Sequence, residues 1–311
     1  MHIYRHLRDL PRNQHHVITI GNFDGVHLGH RALIKTMLAS AHELECASLA
    51  MIFEPQPMEV LQPTRAPARL MRLAEKCRVL KTLGVERVLA YRFDHTVAAM
   101  AADEFAEDVL VNGLKAKHII VGEDFRFGVQ RQGDTTTLKE LGAQHGFTVT
   151  VMADHRADGE RVSSTHIREA LQQGKLDHAA ALLGRPYSLY GRVIHGDKRG
   201  RQIEVPTANI ALKRNKPAIR GVFVVNTTID GKTRYGVANV GTRPTVDGEK
   251  TLLEVHLFDF DGDLYGRYLE VTLLERLRDE CKFPDFDSLV EQIRRDIAQA
   301  KDYISTLSYS S

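Results

Sequence analysis

Val17-Ile18-Thr19-Ile20-Gly21-Asn22-Phe23-Asp24-Gly25-Val26-His27-Leu28-Gly29-His30 decides the fold of the first half of this chain. The opening apolar run predicts a short buried strand that stops at Gly21. From Gly29 the spacing becomes helical, with Leu33, Ile34, Met37, Leu38, Ala41 and Leu44 on one face. Gly21, Gly25 and Gly29, four residues apart, let the backbone pass close to a ligand. The loop opens a helix, whose first amides favour an anion. His27 and His30 stand at that mouth, with Asp24 inside the loop, and two imidazoles there suit a phosphate whose charge rises during reaction. The other reading is a glycine-rich turn with two solvated histidines, and the chain has 15 histidines. The order strand, H-x-G-H, helix favours the phosphate site. No dinucleotide fingerprint G-x-G-x-x-G lies in this loop, and no full P-loop pattern G-x-x-x-x-G-K-[ST] occurs in the chain.

The same alternation continues outward. Ala47 to Phe53 reads as the next strand, and a Pro-rich break (Pro55, Pro57, Pro63, Pro67) forbids regular structure after it. A second helix then carries Leu70, Leu73, Cys77 and Leu80 and stops at Gly84. Arg87 to Tyr91, His118 to Val121 and Phe147 to Met152 read as further strands with helices between them. Such repetition predicts a parallel sheet with right-handed crossovers and a ligand beyond the carboxyl ends of the strands.

After a helix expected over Leu176 to Leu183 and the string Gly184-Arg185-Pro186, the grammar changes. Tyr187 to His195, Val222 to Ile229, Arg234 to Val240, Thr251 to Leu257 and Tyr268 to Leu274 read as strands. Asp230-Gly231, Asp247-Gly248 and Asp261-Gly262 are taken as tight antiparallel hairpins. A closing helix opens on the capping-box spacing Ser288 to Glu291 and turns Leu289, Ile293, Ile297 and Ala300 to one side. The expectation is an antiparallel β-barrel with a C-terminal helix, the boundary lying near residue 184.

Composition narrows the classes. The 311 residues suit two domains, and 43% hydrophobic with 26% charged residues excludes a disordered chain. Lys plus Arg number 42 against 40 Asp plus Glu, a net charge of +2 without the one-signed field of a nucleic-acid or membrane-surface protein. Cys46, Cys77 and Cys281 form neither a disulfide framework nor a C-x-x-C metal pair, which points to a reducing compartment. With no signal-peptide core and no membrane-length apolar run, the expected location is the cytoplasm.

Four more stretches carry chemistry. Ser163-Ser164-Thr165-His166-Ile167-Arg168 offers hydroxyls and amides at a helix start, with a guanidinium one turn in. In isolation it reads equally as an N-cap with a surface Arg, but beside H-x-G-H it reads as a second phosphate contact. Gly191-Arg192-Val193-Ile194-His195-Gly196-Asp197-Lys198-Arg199-Gly200-Arg201 reads as a glycine-punctuated basic loop, able to wrap a polyphosphate or to be a charged hairpin. In Pro206-Thr207-Ala208-Asn209, Thr207 and Asn209 point the same way on an extended chain and offer hard oxygens that suit Mg²⁺ shared with ATP phosphates. Glu254 and His256 share one face of a strand whose other face is Leu253, Val255 and Leu257. That face is either solvated or lines a mouth, in which case Glu254 is the natural proton acceptor.

These motifs resemble the bacterial bifunctional FAD synthetase family. Gly-Asn-Phe-Asp-Gly-Val-His with H-x-G-H, Phe53-Glu54-Pro55-Gln56-Pro57, Val121 to Gly128 and Ser163 to Arg168 resemble its nucleotidylyltransferase half in order, although many members carry His where Gln56 stands. Residues 185–311 resemble its riboflavin kinase half through Gly191 to Arg201, Pro206 to Asn209, Gly221-Val222-Phe223, Asn239 to Thr245, Glu254, Asp259 to Gly266 and Arg278 to Phe283.

The resemblance implies an α/β nucleotidylyltransferase domain with a Rossmann-like parallel sheet over 1–184, then a riboflavin-kinase-like antiparallel β-barrel with a C-terminal helix. It implies phosphorylation of riboflavin to FMN by ATP, and adenylylation of FMN to FAD by a second ATP with release of pyrophosphate. Glu254, His27 and His30 carry the chemistry. Gly21, Asp24, Gly25, Gly29, Ser163, Ser164, Thr165, Arg168, Gly196, Lys198, Gly200, Arg201, Thr207 and Asn209 hold nucleotide phosphates, the last two with Mg²⁺. Phe53, Asp124, Phe125 and Phe127 are the flavin-side candidates, although paired aromatics after a strand are often core. The expected partners are riboflavin, FMN, FAD and ATP, with no nucleic acid or membrane, on a monomer or weak oligomer. One departure stands out: Glu204-Val205 replaces the family's usual glycine and aromatic before Pro-Thr-Ala-Asn. It leaves open a catalytically weakened kinase half serving as a flavin- or nucleotide-binding regulatory domain. H-x-G-H alone also leaves open an adenylyltransferase for another acceptor.

Overall fold

The computed structural model describes residues 1–157, 159–195, 205–214, 216–245 and 248–308. They divide into two compact units, one of residues 1–67 and 71–164, the other of 68–70 with 165–311.

In the first unit the elements are β1 (His2–Tyr4), β2 (His16–Ile20), α1 (Leu28–Glu43), β3 (Ala47–Phe53), α2 (Pro57–Leu61), α3 (Leu73–Thr82), β4 (Arg87–Tyr91), α4 (His95–Ala99), α5 (Ala102–Glu104), which runs on into a π-helical segment Phe105–Gly113, β5 (Ala116–Gly122), α6 (Thr135–His145), β6 (Thr148–Met152) and the small ribbon β7 (Arg156–Ala157) with β8 (Glu160–Arg161). Six strands form a parallel sheet in the order β1-β4-β3-β2-β5-β6. The order reverses at β2, so the loops after β2 and β5 border the crevice where such sheets bind ligands. One core lies against the sheet, with Ile18, Leu49, Leu89 and Ile119 under Phe105, Val109, Leu110 and Leu138.

Three local expectations are corrected. The Pro-rich break holds a helix, α2, because Pro57 occupies the first turn, where its missing N–H costs nothing, and the Gln56 amide donates to Glu59 Oε2 (3.0 Å). Helix α3 begins at Leu73, after an Arg72 cap, so Leu70 lies outside it. The edge strand β1 was not foreseen, since three residues leave no readable period.

The second unit contains α7 (Ser164–Gln172, shared with the end of the first), α8 (Leu176–Leu183), β9 (Ser188–Ile194), β10 (Ala208–Ala211), β11 (Gly221–Ile229), β12 (Lys232–Thr245), β13 (Gly248–Leu257), β14 (Tyr268–Arg278) and α9 (Phe286–Ser308). The strands close a barrel in the order β10-β13-β12-β11-β14-β9, every pair antiparallel. Leu253, Val255, Val193 and Val271 are buried. Helix α9 packs Ile297, Ala300 and Ile304 against Val224, Val237 and Leu274.

Asp230-Gly231 is the expected two-residue hairpin: Ile229 pairs with Lys232, and both turn residues have positive φ (49° and 77°). β12 and β13 also form a hairpin, but Asp247 lies outside the described residues. Asp261-Gly262 is a correction. It sits in the connection 258–267 between β13 and β14, which are not neighbours, so no hairpin forms there. Helix α9 starts two residues before the expected capping box. Asp285 does the capping, its carboxylate accepting from the Ser288 amide (2.7 Å). The strand β10 was missed because Ala-Asn-Ile-Ala is too short to show alternation.

Candidate active sites

The loop after β2 is held from several sides. Asp24 is 2% exposed, and its Oδ1 accepts from the Met71 amide (2.9 Å). Its backbone carbonyl accepts from Ser164 Oγ (2.8 Å), which ties Ser164 to the glycine loop. Lys76, 0% exposed, donates from Nζ to the Asn22 carbonyl (2.7 Å). Phe23 and Val26 adopt left-handed backbone (φ 46° and 43°) and are wholly buried, a strained conformation that only a tightly determined loop retains.

His27 caps α1, its Nδ1 accepting from the His30 amide (3.3 Å). An accepting Nδ1 leaves the ring proton of the neutral form on Nε2, a donor set at the helix mouth. The His27 and His30 rings stack with centroids 3.6 Å apart, and Phe23 tilts against His30 at 5.1 Å. A Cβ at Gly29 would stand 3.3 Å from the His27 ring and 3.5 Å from His155, so a larger residue there would press on the imidazole. His30 Nδ1 is buried with no hydrogen-bond partner among the described residues. Burial, then the charges of His27 and Lys76, hold the His30 pKa well below its usual 6.5. A neutral His30 imidazole beside a helix N-terminus keeps one N–H with which to donate to an anion.

The loop after β5 places Asp124 against Arg161 (2.8 Å), which also meets Asp154 (2.7 Å); the Asp124 side chain is itself exposed, so solvent would satisfy it without the pair. Phe125 and Phe127 stack at 5.5 Å. Phe127 is 6% exposed and belongs to the core, so half-buried Phe125 presents the outer ring. Phe53, at the end of β3, stands edge-on to Phe93 (5.5 Å). Gln56 is buried, and its Nε2 has no partner among the described residues. Thr165 and Arg168 lie in α7 in the second unit, where Arg168 Nε donates to the Ala68 carbonyl (2.6 Å).

In the barrel, Asn209 of β10 stands opposite Glu254 of β13, and Glu254 stands opposite Asn239 of β12. A row of three polar side chains therefore crosses three strands on the outer face, above the buried Leu253 and Val255. Glu254 and His256 share that face as the alternation predicts, and His256 Nδ1 lies 2.9 Å from the Pro206 carbonyl. A cavity of about 250 Å³ opens here, lined by Thr207, Asn239, Glu254 and His256 from the barrel side and by Leu289, Ile293 and Asp296 from α9. Arg278 ties the two walls together, its guanidinium bonding the Asp296 carboxylate (2.9 to 3.1 Å). Asn209 is 7% exposed, and Thr207, two residues before it, is exposed. These hard oxygens fit a small divalent cation held jointly with phosphates. Gly196, Lys198, Gly200, Arg201 and Glu204 lie outside the described residues.

The sequence model of the FAD synthetase family matches residues 9–166, and that of the riboflavin kinase family matches 183–304. The bifunctional riboflavin kinase/FMN adenylyltransferase of Escherichia coli (strain K12) is 46% identical over 92% of this chain and 92% of its own length. This chain belongs to the bifunctional riboflavin kinase/FMN adenylyltransferase family. The Pseudomonas fluorescens member is 46% identical over 97% of each chain. A crystal structure titled as a macrolide-efflux protein from Streptococcus pneumoniae superposes with a TM-score of 0.79 at 33% identity, covering 94% of this chain and 96% of that one. Among the described residues, no helix is long and apolar enough to cross a membrane.

Some residues of these sites in this family member escaped the sequence reading. Lys76 falls between Leu73 and Leu80 on the apolar face of α3, and Asp296 between Ile293 and Ala300 on that of α9. A charge at helical spacing within an apolar stripe was the available signal, because burial requires a partner. Asn239 carried no role in the sequence, since its meaning comes from cross-strand register.

A pH dependence follows from the first unit. The pKa of His30 is lowered mainly by burial; that of His16 by burial and Arg87, against the Leu114 carbonyl; that of His118 by burial. Each folded histidine therefore binds fewer protons than its unfolded counterpart once pH falls below 6.5. Stability is full above that value and is lost as pH drops toward the folded pKa, by at most about 1.4 kcal/mol per pH unit per histidine. Urea unfolding followed on this unit should show a lower midpoint at pH 5.5 than at 7.5. A flat or rising midpoint on acidification contradicts this.

Proposed function

We infer that the chain makes FAD from riboflavin in two steps, one in each half of its sequence. The observation that carries this reading is the match of one transferase family to each half, with 46% identity to a bifunctional relative across 92% of both chains. Residues 1–184 are assigned the adenylyltransferase and 185–311 the kinase. The substrates and products are riboflavin, FMN, FAD and ATP, and the proposed location is the cytoplasm.

In the kinase half, the ribityl 5′-hydroxyl attacks the γ-phosphorus of ATP and ADP leaves, while Glu254 takes the hydroxyl proton. Support comes from its register beside Asn209 and its place in the cavity wall. Thr207 and Asn209 would hold Mg²⁺ with the ATP phosphates. That ion supplies charge neutralisation on the transferred phosphoryl group when bound. Gly196, Lys198, Gly200 and Arg201 are assigned to the polyphosphate. Val205 itself borders the cavity. No described feature favours the weakened-kinase reading.

In the adenylyltransferase half, an FMN phosphate oxygen attacks the α-phosphorus of a second ATP. The bond to the bridging oxygen breaks and pyrophosphate departs. No protein nucleophile is required; orientation and charge stabilisation carry the step. His27 and His30 face the reacting phosphorus in this account, with Gly21, Asp24, Gly25 and Gly29 shaping the loop. Ser163, Ser164, Thr165 and Arg168 are assigned to the ATP phosphates. The buried, unpartnered Nδ1 of His30 and the Ser164–Asp24 bond support these roles. Phe53, Asp124 and Phe125 are assigned to the flavin side, with Phe127 supporting Phe125 from the core.

The test is one incubation of the pure protein with riboflavin, Mg²⁺ and ATP, resolved by chromatography. FMN should appear first and FAD after it, with ADP and pyrophosphate in step. Unchanged riboflavin, or a halt at FMN, overturns the two-step reading.

A further inference from the structure

The polar row on the barrel has one member without an assignment. Asn239 faces Glu254 across β12 and β13, and its own chain neighbours Ala238 and Val240 are buried apolar residues. Directly opposed residues of an antiparallel pair have Cβ atoms about 4.5–5.5 Å apart. The carboxamide therefore sits beside the carboxylate that accepts the proton, on the same cavity wall. Its Oδ1 is buried and has no hydrogen-bond partner among the described residues.

A buried amide oxygen without a partner is costly, and a leucine of similar size would avoid that cost. Because Asn239 lines the cavity, a donor on a molecule seated there is the partner within reach of this carboxamide after a small side-chain rotation. The attacking hydroxyl gives its proton to Glu254, so it cannot also supply Asn239. The next donor along a polyol tail is the adjacent hydroxyl.

We propose that Asn239 is a substrate-binding residue of the kinase half, its carboxamide oxygen accepting a hydrogen bond from the ribityl hydroxyl next to the one phosphorylated. This rests on the kinase reading above and deepens it. Two anchors, Glu254 on the terminal hydroxyl and Asn239 on its neighbour, fix the terminal carbon toward the phosphorus. The site thereby selects a vicinal diol over an isolated alcohol, since a site built to bond a hydroxyl rejects the analogue that lacks it.

The experiment compares wild type with N239L on riboflavin and on 4′-deoxyriboflavin, each with Mg-ATP. In wild type the deoxy analogue should lose about tenfold or more in kcat/KM. In N239L, KM for riboflavin should rise about tenfold or more, KM for ATP should stay within about twofold, and the deoxy penalty should vanish. The thermal midpoint of N239L should equal or exceed that of wild type, because an unpartnered polar group has been removed; a purely structural asparagine would lower it. An unchanged riboflavin KM, or the same deoxy penalty in both proteins, overturns the proposal. N239S replaces N239L if the latter fails to fold, judged by FMN adenylylation in the other half. If wild type does not phosphorylate riboflavin, the kinase reading itself fails. If it does and no coupling is seen, only the role of Asn239 fails.

Discussion

His30→Ala is expected to lower FMN adenylylation by about 10²–10³-fold, the usual cost of removing one fixed donor to a developing oxyanion, while riboflavin phosphorylation continues at the wild-type rate. The ring stacks on His27 at 3.6 Å and keeps a buried nitrogen unpartnered at the mouth of α1. Burial keeps it neutral at pH 7. In the proposed mechanism, removing it deletes a donor to the phosphate, and it breaks no ring hydrogen bond among the described residues. His30→Asn should recover part of the loss, since an amide can donate from a similar place. Rates of FAD and FMN formation, measured separately, check this. A parallel fall in both rates would show that His30 supports the whole chain and not one reaction.

Glu254→Gln is expected to do the reverse. Riboflavin phosphorylation should fall by about 10²–10⁴-fold, the range that general-base catalysis supplies, and FAD formation from added FMN should persist. Glutamine keeps the size of glutamate and its place in the row Asn209–Glu254–Asn239 but cannot take a proton. The comparison with Gln therefore separates proton acceptance from packing. A variant that phosphorylates riboflavin at the wild-type rate would remove Glu254 from the chemistry.

The parts of the fold that the sequence made readable are those with a local period. Val17 to Ile20, the glycine loop and the α1 stripe make one local pattern, and the structure reproduces it at β2 and α1 except at Leu44, which caps the helix after Glu43 and is exposed. Helix α8 spans Leu176–Leu183 and ends on Gly184 in the left-handed region, as its apolar pattern and terminal glycine indicate. The misreadings have non-local causes. Asp261-Gly262 looks like a hairpin, yet the barrel order separates β13 from β14, and a dipeptide cannot report strand order. Pro57 reads as a breaker until its position in the first helical turn is known. The same contrast holds in the sites. Glu254 and His256 followed from alternation within one strand. Asn239 required the register of a second strand, and the cavity wall from α9 required tertiary packing.

The central claim is that two separate sites, one in each half of the sequence, are joined only by FMN. Mixing His30→Ala with Glu254→Gln, neither of which should turn riboflavin into FAD at an appreciable rate alone, tests it most directly. The account predicts that the mixture, given riboflavin, Mg²⁺ and ATP, accumulates FAD through FMN made by the first variant and consumed by the second. A mixture that forms FMN but no FAD, with the second variant still active on added FMN, would contradict it.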